Sequence, residues 1–415
     1  MTMNRRDFSK FAVTAGAALL APRATLNASE TPVSPPQSPS DKFDLLIQGG
    51  TVIDPGQNLN GTMDVAIHEG KILEVAKTIA PERALKIVSA KDRIVTPGFI
   101  DLHQHCYDGV GIGTNADHAC LGRGVTSVVD AGSAGYVAFP NFRKYVINSS
   151  TTRIVALVHI NAIGTMMSDG ALANLNWVNP QLTAKMAIDN RPVAVGIKIQ
   201  LTKAITGAND MEGLKRALEA AKISRLPLMV HIEDSYSPLP DILNQLRKGD
   251  IYTHCFNNRT HGILDANGKI IPEALEARAR GVFFDPAQGQ THLSFDVAEK
   301  CMQQNFLPDT ISTDLTNVTV ERRVFDLPTM VSKFMAIGIP LETAIGMVTA
   351  NPVRVFDYAA EIGSLKPGSE ADVSIFELRD GKFDFEDSDG VIRTGRKRLF
   401  NKMVIRHGRL LVNEV

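Results

Sequence analysis

The chain has 415 residues, more than one ordinary domain needs and enough for a barrel of about 250 residues with a second unit beside it. Hydrophobic residues make up 44%, which supports a full globular core, and the net charge of −1 gives no reason to expect nucleic acid or an anionic membrane as partner. Cys106, Cys120, Cys255 and Cys301 show no CxxC spacing, and a chain of this size does not need a disulfide framework.

In chain order, residues 1–29 read as a twin-arginine signal peptide. Asn4-Arg5-Arg6-Asp7-Phe8-Ser9-Lys10 carries the paired arginines with Phe two places on, and an Ala/Gly-rich apolar run follows from Phe11 to Leu20. That run is too short and too weakly hydrophobic to anchor the chain in a bilayer. The expected partner is the twin-arginine translocation machinery and the expected location the periplasm, or export by that route. Residues 30–42 follow as a linker, Pro/Ser-rich over Thr31–Asp41, and read as a flexible tether.

Residues 43–94 alternate short apolar runs with Gly and Pro punctuation, as in Leu45-Leu46-Ile47 before Gly49-Gly50. Residues 361–415 have the same texture, and the two ends are predicted to pair into a small β-sandwich. His68 and His407 fall in its turns. Between them, residues 95–360 alternate strands with helices. Expected strands are the run ending at His105, then Thr126–Asp130, Arg153–Ile160, Val195–Ile199, Pro227–His231, Ile251–His254, Val282–Asp285 and Thr310–Ser312. Ala116–Arg123 and Met211–Arg225 read as helices between them; the second has Leu214, Ala217, Leu218 and Ala221 on one face. Eight such units predict an α/β fold, a (β/α)8 TIM barrel. An open doubly wound sheet would need a phosphate loop of G-x-G-x-x-G spacing after its first strand, and that stretch does not have it.

The chemistry centres on Thr96–His105, TPGFIDLHQH. His103 and His105 are alternate residues, and on a strand they share a face. Two neutral imidazoles so placed can grip one metal ion from one side. Asp101 sits two residues before His103 and could orient a ligand from below. Lys198, His231, His254 and Asp314 each stand at or just past the end of a later apolar run. Taken singly, each has an ordinary reading: a buried Lys paired with an acid, satisfied core histidines, a helix N-cap. Lys198 is the hardest to place so, because an ammonium at the inner end of a core strand is costly.

The ordered set HxH, Lys, His, His, Asp, each on a different strand, resembles the amidohydrolase superfamily, specifically its binuclear members with a carboxylated lysine. RGVTSVVDAGSAG at 123–135, GIKIQ, YTHCFNN, GILDANG and ISTDLT carry a further likeness to the deacetylase group that includes dihydroorotase-like and acetyl-mandelate deacetylase-like proteins. The resemblance implies two divalent metal ions held by His103, His105, Lys198, His231, His254 and Asp314. Zinc is the first choice, with Mn, Co or Fe as alternatives. It implies N6-carboxylysine at Lys198 bridging the ions, and Asp314 as the catalytic base. It implies hydrolysis of an amide or ester bond by a metal-bridging hydroxide, in a small-molecule substrate that bears a carboxylate.

Arg259 and Tyr107 are expected in loops above the metals, where Arg259 could fork a substrate carboxylate. After the seventh strand the resembling deacetylases carry Gly-His-Gly; here Gln288 replaces that His, and His292 stands nearby, so both join the substrate-binding candidates. His159 could face the pocket or the core, and His118 belongs on a surface helix. A cyclic amidohydrolase of the dihydroorotase, hydantoinase or imidase type is the alternative enzyme, and an inactive barrel acting as a binding module the non-enzyme alternative. A homo-oligomer is expected.

Overall fold

The computed structural model describes residues 42–166, 170–356 and 361–413. The signal peptide at 1–29 and the linker up to residue 41 lie outside the described residues, so those two expectations have no structural counterpart here. No helix among the described residues is long and apolar enough to cross a membrane.

Two sheets organise the chain. The first combines both ends: β1 (Phe43–Asp54), β2 (Leu59–His68), β3 (Lys71–Ala76), β4 (Ala84–Ser89) and β5 (Ile94–Pro97) with β13 (Val373–Glu386), β14 (Ile392–Arg406) and β15 (Arg409–Asn413). Its order is β15-β14-β13-β5-β1-β2-β3, with β4 pairing on β1. The ends meet where β5 and β13 run antiparallel, Val95 opposite Ile375. Where two sheets of a sandwich are expected, the strands form one branched sheet. Its branch lies at the irregularity between Ile47 and Gly50 of β1, beyond which β5 replaces β4 as neighbour. His68 and His407 sit at turns of this sheet, facing Asp44 and Glu370.

The second sheet is parallel: β6 (Phe99–Gln104), β7 (Val125–Asp130), β8 (Arg153–His159), β9 (Ala194–Gln200), β10 (Leu228–His231), β11 (Ile251–Thr253) and β12 (Phe283–Asp285), in sequence order. Helices lie between successive strands, among them Pro180–Asp189 and Asp210–Ser224. Every residue of β6 and of β7 is buried, as strands covered on both faces must be. This explains why neither strand alternates polar with apolar residues, and why the polar ones, among them Asp101, His103 and Asp130, are buried too. The expected helix over 116–123 ends at Cys120, and a 3-10 turn, Leu121–Arg123, completes it.

The predicted eighth strand, Thr310–Ser312, forms no ladder. Its segment still bonds to both edge strands: Asp309 N–H donates to Phe284 O of β12 (2.8 Å), and Asp314 N–H to His103 O of β6 (2.7 Å). A single bridge joins Gln104 to Leu315. Gly98 divides the TPGFIDLHQH stretch between the two sheets. The junction therefore falls at residue 98, not between 94 and 95. A Cβ there would run into Thr126, so only glycine lets the chain pass from β5 to β6 at this closeness.

Candidate metal centre

The ends of β6, β9, β10 and β11 and the loops after β12 and before residue 316 bring seven ionisable side chains together. Two groups form, each with ligand atoms within 4.8 Å of one another: His103, His105 and Asp314, and His231, His254 and His292. All six are buried. Asp314 joins the groups. Its Oδ1 lies 3.3 Å from Nε2 of both His103 and His105. Its Oδ2 lies 3.2 Å from His292 Nδ1 and 3.9 Å from His254 Nε2. Lys198, fully buried, places Nζ 3.3 Å from His103 Nε2.

Hydroxyl groups set the tautomers of the first pair. Thr253 Oγ1 donates its one proton to Asp285 Oδ2 (2.8 Å). Toward His103 Nδ1, 2.9 Å away, it can then only accept. His103 therefore carries its proton on Nδ1 and turns the Nε2 lone pair to Asp314 and Lys198. His105 repeats the device: Nδ1 lies 3.0 Å from Ser133 Oγ, which donates to Asp130 Oδ2 (2.6 Å). Asp285 also accepts from Thr310 and Ser312, so the carboxylate behind His103 is held from three sides.

In the second group His254 donates from Nδ1 to Ala287 O (2.8 Å). Its Nε2 is buried with no hydrogen-bond partner. His231 Nε2 lies 3.2 Å from Thr202 Oγ1. Burial pushes His231 down to about 3 and His254 well below the ordinary imidazole range, so both rings are neutral bases. An orphaned, buried, neutral imidazole nitrogen aimed at a carboxylate and other imidazoles is a lone pair with no proton donor to meet it. A divalent cation satisfies it. The residues thus fit the metal ions that the fold implies.

His292 differs from the other rings. Burial opposes its protonation, but Asp314 and Glu233 outweigh that and lift it to about 9. Its Nε2 lies 2.8 Å from Glu233 Oε2. Expected from the sequence among the substrate contacts, His292 instead packs into the second group, its ring centroid 3.9 Å from that of His254. Gly289 makes this closeness feasible, since a Cβ there would run into Asp314 Oδ2 and His292 Nδ1. Burial lowers Lys198 to about 8, against the pull of Asp314, Asp285 and Asp130.

Arg259 stands beside the second group, Nε 3.4 Å from Glu233 Oε1. Gln288 is fully buried and turned inward: Oε1 accepts from Lys333 Nζ (2.7 Å) and Nε2 donates to Glu386 O (3.4 Å). Tyr107 stacks on Phe142, ring centroids 4.7 Å apart, and among the described residues no hydrogen bond or ion pair ties it to the histidines. Asp101 orients backbone rather than a ring, accepting from His103 N–H and from Thr313 N–H and Oγ1. His159 is buried beside Lys198, and desolvation holds it near 3. His118 is exposed, and the four cysteines are buried and unpaired.

Asp130, Ser133, Thr253, Asp285 and Glu233 support the site with no motif in the sequence to mark the first four. Glu233 carried a signal: in an extended segment it alternates with His231 and shares its side.

The amidohydrolase family profile matches residues 94–398. The chain belongs to the amidohydrolase family. A protein of Enterococcus faecalis named deacetylase is 32% identical over 362 residues, 86% of this chain and 96% of its own. Among solved structures, one titled as an adenine deaminase superposes with a TM-score of 0.84 at 31% identity, covering 90% of this chain and all of that one. Another, titled as a dihydroorotase, gives 0.81 at 28% identity, covering 89% of this chain and 99% of that one. The family profile's range takes in all six residues of the two groups.

Proposed function

We propose that this amidohydrolase is a deacylase that cleaves a small, acyclic N-acyl or O-acyl compound bearing a carboxylate. The observation that carries the reading is the pair of histidine groups joined through Asp314, with Arg259 at their edge. The likeness to the Enterococcus protein named deacetylase over most of both chains supports the acyl chemistry. The eighth segment, bonded to β12 and β6, supports closure as a (β/α)8 barrel with the site at the strand C-terminal ends.

His103, His105 and Asp314 would hold one divalent ion and His231 and His254 a second, with His292 beside them. Zinc suits the imidazole and carboxylate donors, with Mn, Co or Fe as alternatives; bound there, such ions supply Lewis acidity toward the acyl carbonyl and lower the pKa of water. Lys198 is set up for carboxylation. Near pH 8 a large fraction of its amine is neutral. A neutral amine adds to CO2 through its lone pair, forming a carbamate anion and releasing one proton. The product trades a costly buried ammonium for an anionic oxygen donor between the two groups.

Asp314 does the proton work. Held well below the usual carboxylate range by His103, His105 and His292 against the effect of burial, it enters the cycle ionised. It accepts the proton of the attacking water and delivers it to the leaving nitrogen or oxygen, so that acyl compound and water become acid and amine or alcohol. Arg259 receives the substrate's carboxylate, an anion that would otherwise be strongly unfavourable in this site.

The test is a rate comparison. Purified, metal-supplemented protein should hydrolyse an N-acyl amino acid or acyl-hydroxy acid faster than it opens dihydroorotate or a hydantoin or deaminates adenine. The reverse order overturns the reading. Twin-arginine export belongs to the same proposal: Arg5→Lys with Arg6→Lys should trap active precursor in the cytoplasm, and equal periplasmic yield from the double variant removes it.

A further inference from the structure

The long hairpin of β13 and β14 leaves its own sheet and reaches the metal centre. Its tip, residues 387–391, is bolted to the loop that carries His292. Ser388 N–H donates to Leu293 O (2.9 Å), Leu293 N–H to Ser388 Oγ (3.1 Å), and Phe295 N–H to Asp387 Oδ2 (2.9 Å). Behind the tip, Lys333 is fully buried and donates to Gln288 Oε1, Glu386 O and Arg323 O. One ammonium thus fastens the hairpin to the loop after β12 and to the segment before Lys333.

The two acids of the tip have different duties. Asp387 is fully buried and engaged, accepting from the N–H groups of Asp389, Val391 and Phe295. The Asp389 carboxylate accepts no hydrogen bond among the described residues and faces Arg259, Oδ1 3.8 Å from Nη2. That distance allows attraction between charges but no hydrogen bond. Partial burial and the like charge of Asp387 push the Asp389 carboxyl up in spite of Arg259, as expected for a poorly compensated pair.

The guanidinium has donors to spare. Nε lies against Glu233, and Nη2 donates one proton to Thr291 O (3.3 Å). The second Nη2 proton and both on Nη1 have no acceptor among the described residues. Two parallel N–H groups are what a carboxylate needs for a forked pair, and Asp389 stands off this unused part of Arg259 without taking it.

We propose that Asp389 is a specificity-determining residue, an internal carboxylate that competes by charge for the face of Arg259 where a substrate carboxylate binds, and so sets how strongly the site favours anionic substrates. The inference rests on the carboxylate-substrate reading above. It adds that the preference is held down from within by a residue of the C-terminal sheet, a region outside the barrel.

The experiment is steady-state kinetics of the metal-loaded full chain on a matched pair, an acyl amino acid and its neutral amide, read as the ratio of their kcat/KM values. Asp389→Asn should raise the ratio about three- to tenfold, the span of one partly exposed charge at this range. Asp389→Ser should do the same, which covers a folding defect in either. Arg259→Met should lower the ratio more than about tenfold, with Arg259→Lys between it and the wild type. A ratio unmoved by both Asp389 variants while Arg259→Met collapses it overturns the inference and leaves the carboxylate reading standing. A ratio unmoved by Arg259→Met, or no hydrolysis of either compound, overturns both.

Discussion

The two histidine groups are built differently. His103 and His105 each lean on a hydroxyl, Thr253 or Ser133, that leans on a fully buried aspartate, Asp285 or Asp130. His254 leans on a main-chain carbonyl, and His231 meets Thr202, whose hydroxyl touches no acid among the described residues, with Glu233 3.7 Å from the same ring nitrogen. In the first group the ring tautomer and orientation follow from strands deep in the fold. In the second they follow from loops, and Glu233 ties His292 to Arg259 at the rim. The first group is therefore pre-organised by the core, whereas the second is organised with the parts that meet substrate.

The sharpest break is at Asp314, which both groups share. Asp314→Asn should lower kcat/KM by about 10⁴-fold or more, because one change removes the base and disturbs both groups; retention of even a few per cent of activity would make Asp314 a bystander. Lys198→Ala should also lose nearly all activity and give part of it back with short carboxylic acids that stand in for the carbamate. Full activity without rescue removes the carbamate from the account. Thr253→Val separates the groups: it unseats the proton of His103 and should weaken metal retention about 10–100-fold in chelator competition. Thr202→Val, the corresponding change beside His231, should cost less than about threefold, since among the described residues no buried acid stands behind that hydroxyl. Equal losses from the two threonine changes would erase the distinction between the groups.

Much of this was legible in the chain because strands report their own ends. The HxH pair, Lys198, His231, His254 and Asp314 each close an apolar run, and a run buried on both faces shows plainly where it stops. The supporting shell was not legible. Thr253 and Ser133 read as ordinary polar residues at strand ends, and their role comes from rings 150 and 28 positions away. Gln288 could not be assigned a direction, because the Lys333 that turns it inward comes 45 residues later. Residue 98 was a poor boundary marker for the same kind of reason: β5 and β6 read as one apolar stretch, and only their pairing with β13 and β7 separates them. The hairpin tip at 387–391 carries no periodicity that would announce contact with the site.

The central claim is a two-ion centre spanning both groups, and metal content tests it most directly. Elemental analysis of the full chain, expressed with added zinc or manganese and freed of loose ions, should find about two divalent ions per chain, one for each group of donors. Fewer than about one ion per chain under the same conditions would contradict it, and would leave the fold as a binding module rather than a metal-dependent hydrolase.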